Sequence, residues 1–322
     1  MTEEWIKEFV ACFESANKDG LFIDKAFTIK HQHLPSFVYK FRAVNDCSLN
    51  NLAEGTVWLT SPSKYNDPYD CAATISYSEL AKASPRAHLE QSIEHSNLKS
   101  ILSAEAIEDA IKSDDPVMEI ARKVLASDPE VKAENIDSML DDLRRAQEHV
   151  MAPHMERLVA SVREGIKMCS FCATNEPILM WSHYANNHQG FCMDYDVKSL
   201  PDMVKRMLFP VIYDASMFDC TKYYAEAMSN LSGFNNVFAQ LQALYKAPEW
   251  SYEKEWRLVF IAGVIKDEMN YHIGYPKRVY LGAKMSEPDR TRVLDICRRN
   301  GIDVRLMKLV PNRFELASDP IC

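Results

Sequence analysis

Much of what would assign this chain at a glance is missing from it. It has no run of about 18 apolar residues, which excludes a membrane-spanning helix. Its opening, Met1-Thr-Glu-Glu-Trp, is acidic and lacks the apolar core of a signal peptide, so the expected location is the cytoplasm. No P-loop, Gly-x-Gly-x-x-Gly, Gly-x-Ser-x-Gly or His-Glu-x-x-His occurs, which sets aside the commonest nucleotide, hydrolase and metalloprotease signatures. Internal repeats and low-complexity segments are also absent. Basic charge is in deficit: 37 basic against 46 acidic residues give −9, which argues against non-specific attachment to nucleic acid or to an anionic membrane. Nine cysteines, an odd number without an export signal, read as reduced packing thiols. Cys169-x-x-Cys172 with His183, His188 and Cys192 fits no zinc template, and positions i and i+3 of a strand face opposite ways, so no metal is expected.

What is present is an ordinary globular composition, 47% apolar and 26% charged. Residues 3–16 carry a helical stripe of Trp5, Ile6, Phe9, Val10 and Phe13. Strands are expected at 36–42, with Phe37, Tyr39 and Phe41 on one side, and at 56–60, after a helical turn that stops at Gly55. Residues 78–166 change to helical spacing, with Asp115-Pro116 and Asp128-Pro129 as helix starts and a long helix, or a helix pair broken near Pro153. This block reads as an insertion that covers a cleft, meets a partner or simply scaffolds. Strands then follow at 167–172, 208–213, 256–262, 278–282 and 303–309, the last of these expected to end the fold. A helix is expected over 223–247, and another runs from a Ser286 cap to Gly301. The sum is an α+β class, a mixed, mostly antiparallel β body in one domain, 1–322, with the helical insertion at about 78–166.

Two stretches carry candidate chemistry. In 177–196, two apolar ends bracket a polar centre of Ser182, His183, Tyr184, Asn186, Asn187, His188 and Gln189, closed by Gly190, an arrangement that suits a site on rigid supports. His183 and Tyr184 are expected to line the main cleft. In 249–260, strand alternation puts Glu253, Glu255 and Arg257 on one face, the carboxylates about 7 Å apart, close enough for one to raise the pKa of the other. The bland counterpart is a half-exposed surface ion pair between Glu255 and Arg257.

Four pieces taken in order, Tyr39-Lys-Phe-Arg42, Leu52…Gly55-x-Val-Trp-Leu-Thr-Ser-Pro…Tyr65-Asn-Asp-Pro-Tyr-Asp70, Met180-Trp-Ser-His-Tyr-Ala…Gly190-Phe-Cys and Trp250-x-Tyr-Glu-x-Glu-Trp-Arg257, resemble the prokaryotic domain-of-unknown-function family 2971. That resemblance implies no established activity. A second likeness is to the ADP-ribosyltransferase fold, with Arg42, Ser61 and Glu253-x-Glu255 in its order of basic, Ser and Glu residues; the usual Ser-Thr-Ser is Leu-Thr-Ser here. It implies NAD as the small-molecule substrate. Arg42 would grip the pyrophosphate and Ser61 would steady the nicotinamide region. Glu255 would stabilise the oxocarbenium-like transition state, and Glu253 would position a protein or nucleic-acid acceptor. Tyr39, Trp181, Tyr184 and Arg257 complete the nucleotide-binding set, with His183 beside the catalytic pair. Two other classes remain open: a non-catalytic sensor or interaction module, and a hydrolase or nuclease with His183 as base and Asp67 or Asp70 orienting it.

Overall fold

The computed structural model describes residues 3–83 and 86–321. Its strands are β1 Phe37–Arg42, β2 Thr56–Leu59, β3 Ala73–Thr74, β4 Lys167–Cys172, β5 Phe191–Asp196, β6 Leu208–Pro210 and β7 Ile212–Tyr213. They continue with β8 Phe218–Asp219, β9 Tyr245–Lys246, β10 Glu255–Phe260, β11 Met269–His272, β12 Arg278–Leu281, β13 Asp303–Leu309 and β14 Leu316–Pro320. Eight of them form one sheet in the order β14-β13-β12-β5-β1-β4-β10-β6. All its pairings are antiparallel except β12 with β13, the two strands joined by the helix Glu287–Asn300. The α+β reading holds.

Local signals set these elements where they are strong. Asn45 and Ser48 cap the helix Asp46–Glu54 reciprocally, and Gly55, at φ 65°, ends it in the left-handed region that a β-carbon disfavours. Ser286 caps the helix Glu287–Asn300 through the Asp289 amide, and Gly301, again at φ 65°, closes it. Alternation along the strands splits the core in two. Val38, Cys169, Phe171, Met193, Tyr195, Trp256, Leu258 and Val279 pack on one face together with Val57 and Leu59 of β2. Met168, Val259 and Phe209 pack on the other, against residues of the helices Glu4–Ala11 and Ile23–Gln32. Cys169 and Cys172 accordingly belong to clusters on opposite faces.

The helices between Tyr77 and Gly165 form the expected block; residues 84 and 85 lie outside the described residues. It has two small cores of its own, one around Ile93, Leu102 and Ile107 and one around Met118, Ile136 and Leu140. Asp115-Pro116 starts a helix as expected, the Asp115 side chain accepting from the Met118 amide. Asp128-Pro129 does not: Asp128 ends that helix and folds its side chain onto the Glu130 amide, a turn that competes with capping. Pro153 leaves the helix Ile136–Gly165 continuous, on a surface position.

Three other expectations fail. The helix over 223–247 is a helix Thr221–Ser229, a connection, a short helix Phe238–Gln242 and then β9. The break is tertiary, because buried Asn235 donates to the Phe13 and Ser15 carbonyls and pins the connection to the N-terminal segment; Met228 and Leu231 are left exposed. The strand β14 follows β13 and pairs with it, so 303–309 is not the last strand. Glu253 is not on the strand with Glu255: it ends the 3₁₀ turn Pro248–Glu253, Lys254 takes φ 45°, and β10 begins after it.

Candidate functional site

The sheet is open at its centre. β1 pairs with β5 from Phe37 opposite Asp196 to Arg42 opposite Phe191, and β4 pairs with β10 along its whole length. Between β1 and β4 the ladder holds Tyr39 opposite Cys172 and goes no further. Past that pair the strands part around a cavity of about 280 Å³. Its walls include Tyr39 and Phe41 from one face of β1 and Lys40 and Arg42 from the other, together with Ser170, Phe171 and Cys172 of β4. Both faces of a strand can line one cavity only where the sheet is split. Lys40 spans the gap, its ammonium donating to the Ser170 carbonyl at 2.8 Å and lying over the Phe171 ring.

One wall is a buried charge network. Lys246, at the end of β9, donates to Glu253 at 2.6 Å and to Glu255 at 2.8 Å. Arg257, fully buried, donates from Nε to Glu255 at 2.8 Å, to the Ala243 carbonyl at 2.6 Å, and to Asp70. The Tyr184 hydroxyl donates to Glu253 at 2.7 Å. The Glu255 amide donates to the Tyr213 hydroxyl. Glu253, Glu255 and Lys246 line the cavity, while Arg257 and Asp70 stand behind them. The surface ion pair is therefore excluded: both Glu255 and Arg257 are buried.

The two carboxylates are driven apart electrostatically. Burial works to raise Glu255, but Arg257 and Lys246 outweigh it and hold the group well below the usual carboxylate range. Burial, reinforced by the Glu255 charge, leaves Glu253 above its ordinary value despite Lys246 and Tyr184. Tyr184 is pushed up by burial and by the neighbouring Glu253 carboxylate, so it keeps its proton and remains a donor. Lys246 stays charged because Glu255, Asp70 and Glu253 together overcome its burial.

The rest of the lining includes basic and aromatic side chains, Arg42, Lys40, Lys64, Trp58 and Tyr65, with Asn66. Lys64 pairs with Glu268 at 2.7 Å. The half-buried Arg42 side chain has no hydrogen-bond or ion-pair partner among the described residues.

The stretch 177–196 divides between site and support. The helix Ile178–Tyr184 brings Met180 and Tyr184, four residues apart and so on one side, to the cavity. Trp181 goes the other way. It is fully buried, donates its indole N–H to the Asn175 carbonyl, and packs edge-on against Phe41. His183 contradicts expectation: its side chain is exposed, touches the edge of Tyr184, and is not part of the cavity wall. Neither acid proposed to orient it does so, since Asp67 caps the Tyr69 amide and Asp70 holds Arg257. The polar run Asn186, Asn187 and His188 is a left-handed turn, at φ 46°, 55° and 69°. Its backbone is tied to Ser182, Trp181 and Lys284, and His188 lies over Trp181. A β-carbon on Gly190 would come within 2.1 Å of the Arg42 carbonyl oxygen, so glycine is required for the chains to pass.

Of the residues singled out in the sequence, Tyr39, Arg42, Tyr184, Glu253 and Glu255 converge on the cavity. Ser61, Trp181, Arg257 and His183 do not: Ser61 is buried and joined to the insertion through the Glu164 carbonyl. Lys246, Lys40, Lys64, Trp58 and Asn66 were missed. Lys40, Trp58 and Asn66 stand inside the motifs that carry the resemblance, and Trp58 left a further signal, an aromatic at the outward position between inward Val57 and Leu59. Among the described residues no wall residue of this cavity comes from the helical block. A larger groove of about 560 Å³ runs between residues 72–77 and the long helix, with Glu148, Glu156 and Arg163 in its lining. The described residues hold no cluster of His, Cys, Asp or Glu placed for a metal ion, and no helix long and apolar enough to cross a membrane. Eight cysteines are free thiols; Cys322 lies outside the described residues.

Residues 180–258 match the model of the family described as Protein of unknown function (DUF2971). The resemblance read from the sequence stands over that span. The match runs from the helix bearing Met180 and Tyr184 through Lys246, Glu253 and Glu255, so it takes in the acidic wall. Arg42 and Trp58 lie outside it. No curated protein matches the chain, and no solved structure does.

Proposed function

We propose that this protein is a cytoplasmic, NAD-consuming enzyme of ADP-ribosyltransferase type that breaks the nicotinamide–ribose bond. This reading rests on the site itself. The observation that carries it is a cavity lined both by the Arg42 guanidinium, without an ion-pair partner among the described residues, and by two rigidly held carboxylates of opposite protonation tendency. A guanidinium suits the pyrophosphate of a dinucleotide, which it binds bidentately. As the glycosidic bond breaks, its electron pair leaves with the nicotinamide nitrogen and positive charge develops on the ribose. Glu255, kept anionic by Arg257 and Lys246, stabilises that charge from a fixed position. An acceptor's lone pair then forms the new bond to the ribose carbon. The proton it releases passes to Glu253, the carboxylate with the raised proton affinity. Tyr184 holds Glu253 in place.

Glu255→Gln keeps the shape and removes the charge, so it should bind NAD and release nicotinamide on the order of a hundredfold more slowly, or worse. Arg42→Ala should lose NAD binding instead. Calorimetric titration with NAD and chromatographic assay of nicotinamide separate the two effects. A wild-type protein that neither binds NAD nor releases nicotinamide overturns the reading. One observation favours binding without turnover: both Glu255 oxygens already have cationic partners. Saturable NAD affinity with no nicotinamide released in the presence of protein, nucleic-acid or small nucleophilic acceptors would make the protein a nucleotide sensor.

A further inference from the structure

Trp58 is out of place for a strand residue with nothing to do. On β2 its neighbours Val57 and Leu59 are buried in the core, whereas Trp58 is 42% exposed. An outward strand position facing water ordinarily carries a polar side chain. Trp58 has no aromatic or cationic ring contact among the described residues, yet it forms part of the cavity wall that also holds Arg42. Asn66 lines the same cavity, exposed, with its side-chain amide uncommitted among the described residues. A flat apolar face, an amide that both donates and accepts, and a free guanidinium are the complements of a base, its edge and its phosphate. Asn matches the paired donor and acceptor that adenine presents at N6 and N7.

We propose that Trp58 and Asn66 form an adenine subsite, with the base stacked on the indole and its phosphate on Arg42. This rests on the nucleotide reading of the same cavity and adds the residues that select the base. Stacking also explains the exposure: the indole face is left uncovered by the protein and is covered by ligand.

The test uses the full chain with AMP, GMP and ribose 5-phosphate as probes, binding being followed by calorimetry and by quenching of tryptophan fluorescence. Trp58→Ala should weaken AMP roughly tenfold or more while leaving ribose 5-phosphate unchanged. Trp58→Phe should restore most of the AMP affinity, which loss of folding would not allow. Arg42→Ala should weaken AMP and ribose 5-phosphate alike, and Asn66→Ala should erase the preference for AMP over GMP. AMP binding unaltered by Trp58→Ala, or no AMP binding by the wild type, overturns the proposal. The two readings fail separately. Trp58-dependent AMP binding in a protein that never releases nicotinamide removes the enzyme and keeps the subsite. Nicotinamide release by Trp58→Ala with an unchanged KM for NAD removes the subsite and keeps the enzyme.

Discussion

The polar turn at 186–190 and the charged cluster around Lys246 look alike in composition and do opposite things. Both sit against the sheet, and both gather polar groups between apolar neighbours. The turn ties its backbone to Trp181 and Ser182 and to the segment at Gly282 and Lys284, and stacks His188 on Trp181, so it serves to brace the chain. The cluster buries Asp70, Glu253 and Glu255 with Lys246 and Arg257, and it turns part of that charge toward an open cavity. Density of polar residues does not mark a site. Burial of unlike charges beside empty space is the better guide, because such groups hold altered proton affinities ready for use.

The largest expected effect is on the cluster. Arg257→Ala leaves Asp70 and Glu255 buried without their main counter-charge and should cost about 3–5 kcal/mol of stability, read from urea unfolding. A loss below 1 kcal/mol would erase the contrast with the turn.

A second buried lysine sharpens it. Lys30 is as inaccessible as Lys246, but its partners are the Lys205 and Arg206 carbonyls, with the Phe27 and Phe209 rings nearby. No carboxylate pairs with it among the described residues, and burial, helped by Arg206, pulls it down to about 7. Lys246, with its carboxylates, is shifted upward. The unfolded value is about 10.4, so between these limits the unfolded chain holds the proton that the folded chain has given up. Stability from this group therefore rises with pH across that window. Unfolding midpoints of wild type and Lys30→Met across it should differ in slope, the variant being flatter. Equal slopes would show that the carbonyls keep Lys30 charged.

The smallest effect is expected at His183. His183→Ala should change stability by less than about 0.5 kcal/mol, as an exposed substitution does, and should leave NAD affinity intact. A marked loss of NAD affinity would return the polar stretch to the site.

Legibility in the sequence followed the range of the interactions. Gly55, Ser286, Gly301 and the alternation of β1 act over a few residues and were read, whereas the equally local Asn45–Ser48 box was not. Arg42, Tyr39, Tyr184, Glu253 and Glu255, grouped in the sequence by resemblance, line one cavity. Lys246 was hidden inside a segment whose apolar spacing looked helical, and what ended that helix was Asn235 bound to a chain segment far away. The split between β1 and β4 depends on pairing partners remote in sequence, and no local pattern announces it. Glu253 was misplaced because one left-handed residue, Lys254, breaks the alternation.

The bridge between Thr60 and Met168 has a consequence for chain architecture. Each residue's amide donates to the other's carbonyl, so the chain that leaves the body at Thr60 returns beside its point of departure. The segment between first supplies Lys64, Tyr65 and Asn66 to the cavity and Asp70 to the charge network, and the helices from Tyr77 to Gly165 that follow supply no wall residue among the described residues. The entropy of closing such a loop grows only with the logarithm of its length, about 0.6 kcal/mol per doubling. The helical block can therefore be shortened, lengthened or exchanged at little entropic cost to the sheet, a natural port for grafting new segments beside a fixed site.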